Sequence, residues 1–298
     1  MEIKRKFISP LRYPGGKSKI TPLLADIILL NDLEGCTFYE LYAGGAGAAL
    51  TLLDLDICEK VVLNDLDYHI YAFWYCVLNI TEELIKRIKD TKVTIENWKI
   101  QKKVYEYYEN HDILDIGFST FFLNRSNRSG ILHKAGPIGG RDQTGKYKIN
   151  ARFNKLNLIS RIKRIARLRD KIEVYNLESI ELLTKIFANN STNKFIFLDP
   201  PYYEQGKHLY LNFYKDSDHI ALRNILKDNK NAMWFLTYDN RDRIHNLYRK
   251  FRRSYLTMAY TLQEKRQSRE IMIFPDNLSL PKQVKVGSRS ANLSFIEA

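Results

Sequence analysis

The chain has 298 residues, and 45% of them are hydrophobic, which is enough to bury a full core and argues against intrinsic disorder. Lys and Arg number 47 against 34 Asp and Glu, so the formal charge of +13 favours a polyanionic partner, although a basic surface without a ligand stays an alternative. No apolar run is long enough to span a bilayer, the basic start has no apolar stretch behind it, and Cys36, Cys58 and Cys76 lack metal-ligand spacing. We therefore expect a cytoplasmic protein with buried free thiols and no membrane association.

Strand and helix patterns alternate at both ends of the chain. The first predicted strand runs into the turn Gly44–Gly45–Ala46–Gly47, which a helix at 48–55 follows. Strands are predicted at 37–41, 60–64, 194–198 and 232–237, and a closing antiparallel hairpin at 254–262 and 270–274. This order predicts an α/β fold whose parallel sheet binds ligands at the carboxyl ends of its strands.

Residues 78–168 lose that alternation and are rich in Lys, Arg, Tyr and Asn. Helical stretches flank a polar, glycine-bearing loop at 124–145. Over 158–168 the apolar residues share one helix face and the basic residues, among them Arg164 and Arg167, take the other faces. A merely solvated face stays possible, but beside a basic loop this pattern favours a surface that follows nucleic-acid phosphates.

The most specific motif is Asp199–Pro200–Pro201–Tyr202, directly after the predicted strand at 194–198. An aromatic amine is a poor nucleophile because its lone pair is delocalised into the ring. A carboxylate from Asp199 and the backbone carbonyl of Pro200 could accept its two N–H bonds and localise that pair, while Tyr202 stacks on the base. The alternative is a rigid turn that Asp199 only caps.

A second motif is the glycine-rich turn between the first strand and its helix. Glu40 precedes it, and Gly44 and Gly45 would let a cofactor approach the backbone closely. Asp65 follows about 20 residues later at the end of the next strand, where an acid can accept hydrogen bonds from ribose hydroxyls. A tight turn, with Asp65 as a helix cap, is the alternative.

A third motif, RYPGGK at 12–17, contains glycines and a lysine near the N-terminus. Its spacing is not that of a phosphate-binding P-loop, because no glycine lies five residues before the Gly-Lys pair. A Lys17 that approaches a cofactor carboxylate fits better.

In this order, the segments RYPGGK, ELYAGGAG, LNDLD and DPPY resemble the motifs of the Dam-like N6-adenine-specific DNA methyltransferases. FFLNRSNRSG at 121–130 and TYDN at 237–240 are similar to further segments of that family. The resemblance implies a Rossmann-like S-adenosylmethionine-dependent methyltransferase sheet of seven strands with an inserted, mainly helical target-recognition domain. It divides the chain into a catalytic domain at 1–77 and 169–278, a DNA-binding insert at 78–168, and a polar tail at 279–298 that contributes little.

The resemblance also implies the partners and the site. The donor would be S-adenosylmethionine, no metal would be needed, and the substrate would be double-stranded DNA. The chain would act as a monomer, with a restriction endonuclease as a separate protein. The residues predicted to serve are Asp199, Pro200 and Tyr202 in catalysis; Tyr13, Lys17, Glu40, Gly44, Gly45, Asp65 and Asp199 in cofactor binding; and Arg125, Arg128, Arg164 and Arg167 in DNA binding.

Two departures and three alternatives accompany this interpretation. Leu41 replaces a frequent proline, and Arg128 and Ser129 stand where Dam-type members carry tyrosine and asparagine, so we expect a target other than GATC. Methyltransferases for RNA adenine or protein glutamine carry asparagine before Pro-Pro and lack RYPGGK. An inactive DNA-binding protein should have lost the motifs, and a restriction endonuclease should show an Asp…Glu-x-Lys cluster.

Overall fold

The computed structural model of the protein describes residues 8–12, 17, 20–189, 193–203, 214–262, 264–286, 289–292 and 294–295. Its main feature is a twisted sheet, and the bounds of the described strands are β1 Cys36–Glu40, β2 Cys58–Asn64, β3 Ile172–Tyr175, β4 Lys194–Leu198, β5 Trp234–Asp239, β6 Arg252–Leu262, β7 Glu264–Phe274, β8 Gln283–Val286, β9 Arg289–Asn292 and β10 Ser294–Phe295. The strand order in the large sheet is β10-β6-β7-β5-β4-β1-β2-β3.

Strands β1 to β5 are mutually parallel, and β7 lies antiparallel between β5 and β6. The predicted α/β sheet and its closing hairpin are confirmed, since β6 and β7 pair along their whole length from Arg252↔Phe274 to Leu262↔Glu264. Strand β3 was missed by the sequence pattern. It has only four residues at the sheet edge, and Ile172 is the only one that is fully buried, so it lacks an apolar run.

The described helices cover the sheet and fill the middle of the chain. Their bounds are α1 Thr21–Leu30, α2 Gly47–Asp54, α3 Tyr68–Asn79, α4 Thr81–Asp90, α5 Ile95–Glu106, α6 Ile113–Ser126, α7 Lys155–Ala166, α8 Ser179–Ala188, α9 Asp216–Asp228 and α10 Asp242–Leu247. Several begin at a side-chain cap; for example, Thr94 accepts the Asn97 amide at the start of α5, and Asp112 accepts the Asp115 amide at α6. None of the described helices is both long and apolar enough to cross a membrane.

One apolar core joins the sheet to the helices of the middle segment. Ile85 of α4, Phe121 of α6 and Ile162 of α7 belong to the same buried cluster as Phe38 of β1 and Phe195 of β4. The three cysteines are buried and free, as expected. The division into a catalytic domain and an insert at 78–168 stays a prediction.

Within the described part of 279–298, which the sequence predicted to be a polar tail, the backbone forms strands. Strands β8 and β9 form a hairpin, and β10 pairs with the outer edge of β6. Asn31 at the end of α1 exchanges two hydrogen bonds with the Ser279 backbone, 2.8 and 2.9 Å long. The open edge of β6 offers unpaired backbone groups that even a polar segment can satisfy, because strand pairing depends on the main chain.

Candidate active site

Three carboxylates meet at the carboxyl edge of the sheet. Glu40 ends β1, Asp65 follows β2, and Asp199 follows β4; these strands are neighbours in the order β4-β1-β2. Parallel strands lie about 4.8 Å apart, so the three groups share a region roughly 10 Å wide. The structure thus brings together acids from all three interior motifs of the sequence.

Glu40 ties the end of β1 to the start of α2. It is 5% exposed, and its Oε2 accepts the Ala49 amide at 3.1 Å. This bond satisfies one of the free amides of a helix that has no side-chain cap at Ala46. Burial raises the pKa of Glu40 to about 8, and the charges of Asp199 and Asp65 add to the shift.

Asp65 holds the glycine-rich turn in place. Its Oδ2 accepts the Gly44 amide at 2.7 Å, and its Oδ1 accepts the Asp67 amide at 3.0 Å. Gly44 adopts φ +45°, and its carbonyl accepts the indole N–H of the buried Trp74 at 2.9 Å. Burial raises the pKa of Asp65 to about 7, with a contribution from Asp67.

The helix cap at α3 is Asp67, whose carboxylate accepts the His69 amide. Asp65 therefore does not serve as the cap that the alternative interpretation assigned to it. Gly45 is half-buried in the same turn. A cofactor contact for these residues stays a prediction.

Asp199 is fixed through one oxygen only. Its Oδ1 accepts the Thr237 hydroxyl at 2.7 Å and lies 3.2 Å from Lys17 Nζ. The side chain is 21% exposed, and burial raises the pKa of Asp199 while Lys17 opposes the shift. Among the described residues, neither Oδ2 of Asp199 nor the Pro200 carbonyl accepts a hydrogen bond. The motif therefore presents two unused acceptors.

Lys17 and Tyr202 meet at a residue that the sequence did not indicate, Glu270 of β7. Lys17 Nζ donates to both Glu270 carboxylate oxygens at 2.8 Å and to the Tyr202 hydroxyl at 2.9 Å. The Tyr202 hydroxyl in turn donates to Glu270 Oε1. Lys17 and Glu270 side chains are 2% and 1% exposed. Lys17 therefore already contacts acidic groups of the protein, including Asp199, where a cofactor carboxylate was expected.

The TYDN segment anchors the motif loop. Thr237 holds Asp199, and two residues later on β5 the carboxylate of Asp239 accepts the Tyr203 amide at 3.0 Å. Asp239 also pairs in register with Glu270 across β5 and β7. Two alternate positions of β5, Thr237 and Asp239, thus fix the carboxylate and the backbone of one loop.

The comparisons with known proteins agree with this geometry. Residues 13–262 match the family described as D12 class N6 adenine-specific DNA methyltransferase. The chain belongs to that family. Its relatives include the modification methylase StsI of Streptococcus sanguinis, 27% identical over 68% of this chain and 31% of StsI. Another is the type II methyltransferase M.CviBI of Paramecium bursaria Chlorella virus NC1A, 25% identical over 74% of this chain and 79% of M.CviBI.

The D12-class chain thus spans about a third of the length of StsI and about four fifths of M.CviBI. Among solved structures, the rRNA methyltransferase aviRa of Streptomyces viridochromogenes aligns over 86% of this chain and 85% of its own. The identity is 11% and the TM-score 0.32, a likeness too distant to carry an argument.

In this D12-class chain, the asparagines of FFLNRSNRSG act as a scaffold. Asn124 is buried and exchanges hydrogen bonds of 2.7 Å with the Arg12 backbone N–H and C=O. Asn127 accepts the Trp98 indole N–H at 2.7 Å. Gly130 adopts φ +76°, and a Cβ there would collide with the Arg12 carbonyl. The backbone of Arg12 is therefore fixed to this loop.

The same loop exposes Arg128 and Ser129 at its tip. Ser129 adopts φ +55°, an uncommon conformation for a residue other than glycine. Arg125, by contrast, donates a hydrogen bond from Nε to the Arg152 carbonyl at 2.8 Å, so its side chain is already engaged by the backbone. Arg128 is thus the better placed of the two to contact a ligand.

Arg164 and Arg167 lie at the C-terminal end of α7. Arg164 makes a bidentate ion pair with Asp54, with two bonds of 2.6 Å, at the C-terminal end of α2. The N-terminal end of α2 adjoins the sheet edge that carries Glu40, Asp65 and Asp199, which we call the acidic edge. The eight residues of α2 span about 12 Å. Both arginines also precede β3, so they lie at the amino edge of the sheet. Their contact with DNA stays a prediction, and Tyr13 lies outside the described residues.

Proposed function

We propose that the chain transfers a methyl group from S-adenosylmethionine to the exocyclic N6 amine of adenine in double-stranded DNA. The observation that carries the proposal is the pair of unused acceptors, Asp199 Oδ2 and the Pro200 carbonyl, on a loop anchored by Thr237 and Asp239. Membership of the D12 class gives the same substrate class.

The two acceptors suit an amine that must be made nucleophilic. When both N–H bonds are accepted, the nitrogen lone pair is withdrawn from the ring and can be directed at the methyl group. The charge of Asp199 stabilises the positive charge that develops on nitrogen. Because Thr237 and Lys17 hold only Oδ1, the carboxylate is oriented before the substrate arrives.

The acidic edge also fits the donor. When bound, S-adenosylmethionine supplies a methyl group attached to a cationic sulfur. The sulfur is a good leaving group, so the transfer needs neither a metal nor a covalent enzyme intermediate. Burial raises the pKa values of Glu40, Asp65 and Asp199, and repulsion from a neighbouring carboxylate adds to each shift. A cationic ligand relieves that repulsion. The tight turn at Gly44, fixed by Asp65, leaves the backbone open to close approach.

Tyr202 is assigned to stacking on the target base. Its hydroxyl is held by Lys17 and Glu270, so its ring has a fixed orientation beside Asp199. An adenine within a duplex cannot bring its amine to a carboxylate that is 21% exposed, so we propose that the base is flipped out of the helix. Arg128, exposed at the loop tip, would contact the duplex that remains.

Both named relatives are modification or type II methyltransferases. We therefore include in the proposal a separate restriction endonuclease whose sites this chain protects. Sequencing of DNA methylated by the expressed protein would give the modified sequence, and cleavage of that DNA by the endonuclease should be blocked.

The function is tested by methyl incorporation into duplex DNA, RNA and protein, with Asp199→Asn as the diagnostic variant. Asparagine keeps one acceptor oxygen and loses the charge, so the single-turnover rate on DNA should fall about 100- to 1000-fold. Asp90→Asn, at an exposed acid paired with Lys86, is the matched control and should keep the wild-type rate. A near-normal rate for Asp199→Asn, or methylation of RNA or protein in preference to DNA, would contradict the proposal.

A further inference from the structure

A basic cavity of about 780 Å³ lies on the side of the sheet away from the candidate active site. Its wall includes α9, the connection from α10 to β6, and the end of β7. Trp234, the first residue of β5, lines it, whereas Thr237, which binds Asp199, lies three residues further along that strand. At about 3.3 Å per residue, these positions are roughly 10 Å apart along the sheet, so the cavity is separate from the acidic edge.

The charge of the cavity lining is predominantly positive. Arg223, Lys227, Lys230, Arg249 and Lys250 line it. In the described part of the chain none of these five makes an ion pair. A sixth cation, Arg243, is already neutralised by Asp216 through bonds of 2.8 and 2.7 Å. The lining contains a single acid, Asp276. A concave surface of this kind concentrates anions.

The best placed of these cations is Arg223. Its Nε is buried and has no hydrogen-bond partner among the described residues, so a donor in the cavity wall is available to a ligand. Lys227 follows at i+4 on α9, and the two side chains share one face of the helix. A planar guanidinium beside flexible ammonium groups is the combination that binds phosphate oxygens in proteins.

Apolar side chains complete the lining, among them Leu226, Leu247 and Phe251. The volume lies within the roughly 300–1,000 Å³ of small-molecule sites. We propose that this cavity is a second ligand site, and that it binds an oligophosphate chain, whether the backbone of a nucleic acid segment or the tail of a nucleoside polyphosphate. The proposal does not depend on the reaction assigned to the acidic edge.

The test uses inorganic tripolyphosphate as the probe and the full-length protein. Arg223→Gln/Lys227→Gln should weaken tripolyphosphate binding, measured by calorimetry at low salt, by about tenfold or more, because charged hydrogen bonds are lost. Lys99→Gln/Lys103→Gln removes the same charge with the same i,i+4 spacing from the exposed face of α5, and its affinity should stay within about twofold of wild type. Unchanged melting temperatures exclude misfolding in either variant.

A second arm identifies the source of the phosphate. The salt dependence of binding is measured with a short duplex made of G·C pairs alone, which offers no adenine to the acidic edge. If nucleic acid enters the cavity, the Arg223/Lys227 variant should lower the slope of log K against log salt by about 1.8, for two phosphate contacts. An unchanged slope together with weakened tripolyphosphate binding identifies a small polyphosphate ligand.

Equal loss of tripolyphosphate affinity in both double variants would show a general effect of net charge and would overturn the proposal. So would an absence of tripolyphosphate binding to the wild-type protein. Methyl transfer to DNA serves as an independent readout, since a failure of the cavity proposal leaves that activity untouched.

Discussion

Replacing Glu270 by glutamine removes one negative charge from the cluster at Lys17 and keeps the shape of the side chain. In the native protein, Lys17 Nζ lies 2.8 Å from each Glu270 oxygen and 3.2 Å from Asp199 Oδ1. Two of the partners of Lys17 are therefore acids at similar distance, and the variant leaves Asp199 as the sole carboxylate among these contacts.

The magnitude follows from these distances. At an effective dielectric constant of about 20, the gross attraction is about 6 kcal/mol at 2.8 Å and about 5 kcal/mol at 3.2 Å. Lys17 keeps a strong partner, so the variant should not incur the roughly 3–5 kcal/mol of a buried charge left alone. The expected loss is that of a hydrogen bond to a charged group, about 1.5–3 kcal/mol in the free energy of unfolding, measured by urea denaturation.

The same change should alter the pH dependence of methyl transfer. Glu270 is among the charges that raise the pKa of Asp199, and its removal favours the ionised carboxylate. Since Asp199 must be ionised to bind the amine, the acid limb of the kcat/KM profile should move to lower pH. Activity would then persist further into acid than in the wild-type protein.

A matched control is Glu173→Gln, which breaks an ion pair with Lys60 whose side chains are about 40% exposed. It should cost no more than about 1 kcal/mol and leave the pH profile unchanged. An acid limb of Glu270→Gln that stays in place, or moves to higher pH, would refute the coupling between Glu270 and Asp199. A stability loss equal to that of Glu173→Gln would refute the buried ion pair.

Three further predictions concern the acidic edge and the DNA surface. The pKa of Glu40 rises from about 4.5 to about 8 on folding, so the free energy of unfolding of the wild-type protein should fall as pH rises through that window. Glu40→Gln does not ionise, and urea denaturation between about pH 5.5 and 8.5 should show its stability increasing relative to the wild type. A stability difference that does not change with pH would show that the pKa of Glu40 is normal. Asp65→Ala should weaken S-adenosylmethionine binding, measured by calorimetry, by roughly 1.5–3 kcal/mol. Asp67→Ala, at the helix cap, should lower the stability of the protein and change this affinity little. Equal losses of affinity in the two variants would show that Asp65 has a structural role only. Arg128→Ala should weaken duplex binding or change the methylated sequence, while Arg164→Ala should do neither, and the reverse result would place the duplex on α7.

The acidic edge could be predicted because each of its motifs is local. A strand followed by a polar or glycine-rich turn fixes where the next few side chains lie, so Glu40, Asp65 and Asp199 could be placed at one edge before any contact was known. The family resemblance singled out TYDN, but it did not indicate the bond of Thr237 to Asp199.

Contacts between distant parts of the chain could not be predicted in this way. Glu270 is 253 residues from Lys17, and its strand runs antiparallel, so no motif spacing connects them. The basic residues of α7 satisfied a pattern typical of DNA binding, but the pattern gives only a helix face. The ion pair of Arg164 with Asp54, 110 residues away, places this side chain against α2, and no local pattern indicates that contact.

The stacking of Phe73 of α3 on Phe121 of α6, with ring centroids 5.9 Å apart, bears on how such a chain acquires a new DNA target. The helical middle segment and the sheet share one hydrophobic core, so neither can be exchanged as an independent domain. A transplanted segment would have to reproduce every buried side chain that α3 meets. If Arg128 contacts the target as we propose, the target can change at the exposed loop tip, where Arg128 and Ser129 can vary without disturbing the asparagines beneath them.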